Sequence, residues 1–433
     1  MAMPSELNRR EHDKFKEGPC GETRVQSYSL FEPDGGSLDA FGNLRVAEPF
    51  TIFDTKQITD NLPLLYDDQQ VSGTATTSVY TTNTAASVMG VAASTTGERV
   101  RQSFERHNYQ PGKSQLIRLT GTFANQSADL TGITSRIGLF DGNNGILFSY
   151  EGGTMNAVVR SNTSGTPADD KVAQSSWNID KMDGTGASGI TLDFTKTLIM
   201  LIDMEWLGVG RVRVGFVAAG APIYCHQFLH SNVNSLVYMS TPNLPVRYSI
   251  ANDGTGLATT MQHICSSVVS EGGQQENGIV VGISNDTTEV TATNADTIYA
   301  LKGIRLNASY LDHTVKVLRT TVLMTAAGVF EWLLIFNPTV AGTFAYSQVT
   351  NTAIDEATGV STNTVTGGTV IASDYGASTG SGGNASGGSG DAIDNALKLG
   401  SAINGTQDTI VLCVRATTSG RTFLGGLTVK QIS

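Results

Sequence analysis

Gly112-Lys113-Ser114 has the ending of a phosphate-binding loop, in which backbone N–H groups ring the phosphates and the lysine reaches between them. Such a loop needs a glycine at position 107 and a helix after the serine. His107 stands there instead, and residues 115–123 read as a strand, so nucleotide chemistry is set aside. His226 and His230, beside Cys225, have the spacing that seats zinc on a helix. Their surroundings read as strand, which spreads such a pair by ~13 Å, and no HExxH glutamate accompanies them. Histidines satisfied by structural hydrogen bonds are the expectation. Asp180, Asp183 and Gly184 lack the alternating carboxylates and closing glutamate of a calcium loop. Asp203 and Glu205 alternate along one strand, as glycosidase carboxylates can. One pair on one strand offers no acid–base separation across a sugar, so a solvated face is expected. Trp177 and Trp206 could stack on a sugar ring, but core packing is the stronger expectation for tryptophans in apolar strands. No GxSxG motif occurs. The chain reads as a non-enzyme with no cofactor and no metal.

The elements that would position these residues are strands. Residues 136–165 form a meander of three apolar runs separated by Asp-Gly-Asn-Asn-Gly and Glu-Gly-Gly, the chemistry of hairpin turns. In residues 211–217, Arg211 and Arg213 share one face while Val212, Val214 and Phe216 share the other. Arg99, Arg101 and Arg106 also alternate with apolar neighbours. Pro242 and Pro245 force an extended approach to the strand after them. Residues 264–273 read as a buried strand stopped by Glu-Gly-Gly, and the Thr/Ser-rich residues 71–94 as one long strand. Residues 100–273 together suggest a large antiparallel sandwich of the jelly-roll kind.

The expected organisation is all-β. It comprises an extended polar N-terminal arm over 1–36, a jelly-roll-like body over 37–280 and a second, smaller β-rich domain over 281–433. Trp332 and Phe336 are expected in the second core. A Gly/Ser-rich loop over 373–392 cannot build a core and reads as an excursion.

Composition supports strands and turns. Only 15% of the 433 residues are charged, against about 25% in an ordinary soluble domain, and 48 are glycine. A net charge of −11 argues against nucleic acid as partner, since packaging needs a basic footprint. Cysteines at 20, 225, 265 and 413 are too few and too scattered for a disulfide scaffold, so free thiols are expected. No apolar run approaches the ~20 residues of a membrane-spanning helix, and the N-terminus lacks the apolar core of a signal peptide. No membrane partner and no general secretory export are expected.

Residues 37–57 read SLDAFGNLRVAEPFTIFDTKQ: a turn bearing an aromatic, then a short extended run broken by Pro49. This stretch resembles an opening signature, roughly DAFGRLRVSEPFTLFDSKQ, of virion structural proteins from tailed bacteriophages and some large DNA viruses. Patches further on match the same family in order, among them EWLGVGRVRVGF, PNLPVRY and ICSSVVSEGG. They cover residues 38–280 discontinuously. A weaker likeness to a short N-terminal element of phage structural proteins spans residues 12–25.

The resemblance implies a virion protein assembled in the host cytoplasm. The expected role is a multimeric capsid-associated component (decoration, head-fibre or minor capsid) acting by protein–protein contacts. Its partners would be other virion proteins and copies of itself, in a trimer or higher ring. The alternative is a tail or fibre component that binds host-surface carbohydrate. The assembly strap would comprise Leu38, Asp39, Phe41, Gly42, Arg45, Pro49, Phe50, Phe53 and Asp54. His12, Asp13, Lys14 and Phe15 would supply the contact of the arm.

Overall fold

A computed structural model of the chain describes residues 48–125, 129–378, 384–385 and 397–432. Among these residues the only helical pieces are two single turns, Thr82–Thr84 and Gln174–Ser176. Everything else regular is strand. The first five are β1 (Phe50–Lys56), β2 (Tyr66–Gly73), β3 (Thr76–Thr81), β4 (Ala86–Val91) and β5 (Gly97–Ser103). Next come β6 (Gln115–Thr122), β7 (Ile133–Phe140), β8 (Gly145–Glu151), β9 (Thr154–Ser161) and β10 (Ala168–Ala173). The half closes with β11 (Leu198–Met204), β12 (Val212–Ala218), β13 (Ala221–Phe228), β14 (Val246–Asn252) and β15 (Thr259–Ser270).

These strands make two antiparallel sheets in a jelly-roll-like sandwich. One runs β13-β12-β11-β6-β15-β4-β3, with β1 on β15, and the other β10-β9-β8-β7-β14-β5-β2. Their inner faces share one core, to which β11 gives Met200, Ile202 and Met204 and β12 gives Val212, Val214 and Phe216. The alternation of residues 211–217 therefore sends its apolar set inward. Trp177 and Phe194, from the long β10–β11 connection, pack into the same core. Asp180 shapes that connection by accepting the N–H groups of Met182 (2.8 Å) and Ser188 (2.6 Å).

One sequence expectation changes here. Residues 71–94 hold the end of β2, then β3, a turn and β4, not one strand. The chain breaks where Ala75 (φ 56°) and Ala85 (φ 48°) enter the left-handed region.

The remaining strands begin with β16 (Ile279–Ser284), β17 (Val290–Ala292), β18 (Ile298–Leu306), β19 (Thr314–Met324) and β20 (Gly328–Phe336). Then follow β21 (Thr339–Val340), β22 (Ser347–Gln348), β23 (Ile354–Thr358), β24 (Val365–Thr366) and β25 (Thr369–Ser378). The last are β26 (Asn384–Ala385), β27 (Thr409–Ala416) and β28 (Arg421–Ile432). A third sheet runs β16-β28-β19-β26 with β17 also on β28, and a fourth runs β22-β23-β18-β27-β20-β25. They enclose a second core that includes Trp332 and Phe336. The stretch expected as a Gly/Ser-rich loop over 373–392 starts inside β25, which stays paired with β20 up to Ser378.

A mainly polar seam joins the two halves. Lys398 pairs with Glu105, and Lys316 with Glu276 at 2.5 Å. Thr241 donates to Asp312 (2.9 Å), Arg106 to the Ser401 hydroxyl (2.6 Å), and the Ile403 N–H to Asp67 (2.7 Å).

Candidate assembly site

The described part of the strap, Pro49 onward, becomes β1 and adds to β15 alongside Cys265–Ser270, just where the pairing of β15 with β4 has ended. The ladder shifts register between Thr51 and Phe53, and Phe53 and Thr55 are buried. The Phe53 ring lies edge-on to Tyr66 (5.9 Å between centroids) and tilted over His107 (4.5 Å). Thr55 and Tyr66 share a hydroxyl hydrogen bond of 2.8 Å. Phe50 and Asp54 are exposed, and Phe50 lines a cleft of about 200 Å³ with Glu105, Glu276, Lys316 and Lys398. Leu38, Asp39, Phe41, Gly42 and Arg45, like His12, Asp13, Lys14 and Phe15, lie outside the described residues.

Past its end, β1 is fastened by Gln57. Its N–H donates to the Ile264 carbonyl (3.0 Å), and its side-chain oxygen accepts from Ser87 and from Arg101 (both 3.3 Å). Arg101 is fully buried, pairs with Asp68 (3.2 Å), lies over the Tyr66 ring (4.6 Å) and donates to His263 Nδ1 (3.1 Å). That bond leaves the proton of the imidazole on Nε2, which donates to Ser266 (2.9 Å). Burial, seconded by the Arg101 charge, drives the His263 pKa far below its ordinary value, so the ring is neutral. Burial likewise lowers Arg101, but Asp68 opposes it and keeps the guanidinium charged. Burial pushes the Tyr248 hydroxyl, whose ring stacks on His263 at 4.1 Å, far up. Arg101, His263 and the Gln57 side-chain oxygen are each committed to another protein group, so the cluster fixes a strand.

The residues singled out for chemistry are committed in the same way. Lys113 bonds the Gly272 carbonyl and Ser114 donates to Glu271 (2.8 Å), so the Gly-Lys-Ser turn clamps the end of β15. Asp203 is buried, paired with Arg213 and bonded by Tyr224 (3.1 Å), whereas Glu205 is exposed. The two carboxylates do not converge. Cys225 is buried against the Val214 carbonyl, with its pKa pushed far up by burial. Trp177 is a core residue, and Trp206 packs partly buried against the same core with its Nε1 donating to the Met239 carbonyl (3.1 Å).

His226 and His230 do share one feature, a groove of about 880 Å³ between the outer strands β10 and β13. His226 Nδ1 accepts the Asn178 N–H (3.2 Å), leaving the Nε2 proton unclaimed among the described residues. Burial lowers its pKa, with Asp170 opposing. His230 Nδ1 donates to the Gly210 carbonyl (2.7 Å), and its ring stacks on Tyr238 at 4.1 Å. Leu229, Val233, Leu236 and Val237 leave the rim apolar and exposed. Sequence reasoning missed this groove, since its walls come from two sheets and segments some sixty residues apart. It also missed the Arg101 cluster, whose only signal was alternation.

No family model matches the chain, and no curated protein matches it by sequence. Several solved structures resemble part of it. An endo-1,3-β-glucanase from Streptomyces sioyaensis matches with TM-score 0.34 and 10% identity, covering 52% of this chain and 97% of that one. Peanut lectin matches with TM-score 0.30 and 11% identity, over 52% and 98%. A carbohydrate esterase from the Shiga toxin-encoding bacteriophage phi24B matches with TM-score 0.29 and 10% identity, over 52% and 100%. Likenesses of this size carry no argument about function.

Proposed function

We propose that this chain is a non-enzymatic structural protein of a tailed-phage virion, associated with the capsid and acting through contacts with other virion proteins and with copies of itself. The observation that carries the reading is the anchoring of β1. The end of the signature-like segment is a strand stitched to the sandwich by Phe53, Thr55 and Gln57. A strand so held can transmit load from the residues before it to a rigid body. The commitment of Asp203, Asp180, Lys113 and Cys225 to structural partners supports it too. Immunogold labelling of intact particles tests the reading: gold over the head is expected, and particles that carry no label would rule it out.

The second reading, a tail or fibre component that binds host carbohydrate, draws on the groove. Its open His226 N–H and the Asp170 carboxylate are a donor and an acceptor of the kind that hydroxyl-rich ligands use. Gold at the tail tip, with glycan binding lost in His226→Ala, would favour it.

A further inference from the structure

We infer that strand β16 pairs, antiparallel and about a two-fold axis, with β16 of a second copy of this chain. The inference rests on the assembly reading above and adds the contact. β16 is an outer strand of the third sheet, paired with β28 on one side and with no strand on the other among the described residues. Its sequence, IVVGIS, has no charge and no proline, and its ladder with β28 has no bulge. Most other outer strands carry a device that discourages edge pairing. β10 has Asp169, Asp170 and Lys171; β2 has Asp67, Asp68 and a bulge. β13 has Pro222, β25 has Asp374 and a register shift, and β22 and β26 are two residues each. β3 is uncharged, but its Ser78 bonds to Asp68 of the facing sheet.

Geometry makes β16 self-complementary. Ile279 and Val280 are consecutive, so they point to opposite faces, yet they are 54% and 56% exposed. Among the described residues both side chains are open at that end. At the other end a Cβ on Gly282 would meet nothing within 4 Å. There a groove of about 410 Å³ opens over Gly282 and Gly426, walled by Thr321, Leu323 and Leu424. The Asn285 N–H donates to the Gly425 carbonyl, so by the alternation of an antiparallel ladder Val280, Gly282 and Ser284 turn their N–H and C=O groups to the free edge. With Val281 on the axis, Val280 lies opposite the partner's Gly282 and Ile279 opposite the partner's Ile283. Aliphatic knobs then meet an open floor twice over, as an isologous contact requires. No like charges face each other. Two five-stranded sheets become one.

The test uses the full chain with Val281→Cys. At a non-hydrogen-bonded position the two Cα atoms stand ~4.5 Å apart, within disulfide reach, so mild oxidation should link pairs of chains. Val79→Cys, exposed on β3, is the control and should stay unlinked. Val280→Lys, with an unchanged circular-dichroism spectrum, should halve the sedimenting mass of the parent, weakening self-association about tenfold or more. The inference is overturned if Val281→Cys links no faster than Val79→Cys, or if Val280→Lys leaves the mass unchanged. Failure of both variants in a chain that still labels on particles removes this contact and leaves the structural role standing. Cross-linking in a chain absent from particles does the reverse.

Discussion

His107 is fully buried, beside Phe53 of the strap, and its Nδ1 has no hydrogen-bond partner among the described residues. Burial first, and the Lys398 charge second, hold its pKa down at about 3, against an ordinary 6.5. In the unfolded chain the ring takes up a proton below 6.5, while in the fold it does not. The unfolded state therefore binds more protons across this window, and stability falls as pH drops from 6.5 toward 3. From pH 6.5 to 5 the loss from this one ring is about 2 kcal/mol. His263 acts in the same direction, while Asp408, its carboxyl raised by burial, acts oppositely. We expect His107→Gln to remove part of the slope of unfolding free energy against pH, read by urea titration at pH 6.5 and 5. An unchanged slope would mean that the site admits water or a proton. Arg101 belongs to the same scale: replacing it by Met leaves Asp68 with Arg99 and the Ser78 hydroxyl, takes one of two donors from the Gln57 side-chain oxygen and strips the donor from His263 Nδ1. A cost of about 3 kcal/mol is expected, the order found when one partner of a buried pair is removed.

At the scale of elements, β1 divides its residues by burial, and a mutation pair can read that division. Phe53→Ala should cost about 3 kcal/mol, because the ring leaves a cavity between Tyr66 and His107. Phe50→Ala, at the exposed start of the strand, should change stability by no more than about 0.5 kcal/mol but weaken any partner seated there. Equal costs in the isolated chain would mean that β1 does not hold this register. The alternation that makes such a division was legible for residues 211–217 and for the meander at 136–165, because hairpin turns announce themselves by Gly, Asn and Asp. The break within 71–94 was not. It falls at Ala75 and Ala85, and alanine in a left-handed conformation gives no sequence signal. Alternation also tells which residues share a face without telling which face is the core, so the inward aim of Arg101 stayed hidden. The strap was legible as a short extended run; that it finishes on a buried arginine was not, since Gln57, Asp68 and His263 meet only in the folded sheet pair.

The whole molecule poses a question of cooperativity. Two cores, one lined by residues up to Val268 and the other from Ile283 onward, face each other across contacts that are mostly polar. Pairs such as Lys398 with Glu105 are partly solvated, and each contributes on the order of 1 kcal/mol or less. An apolar bridge crosses the seam, where Phe53, Leu65 and Phe104 of the sandwich line a cleft with Phe336 and Leu397. If the polar contacts couple the halves, removing them together should uncouple melting. We expect the parent to show a single calorimetric transition, and Lys398→Ala with Thr241→Val and Lys316→Ala to show two, the lower from the less stable half. A single transition that merely shifts downward would assign the coupling to the apolar bridge, and then Phe336→Ala, not the charge variants, should split it. Either result bears on assembly. A strap seated beside this seam contacts both halves through Phe53 and the cleft at Phe50, so a partner that loads the strap would pull on the joint between the two cores and not on one alone.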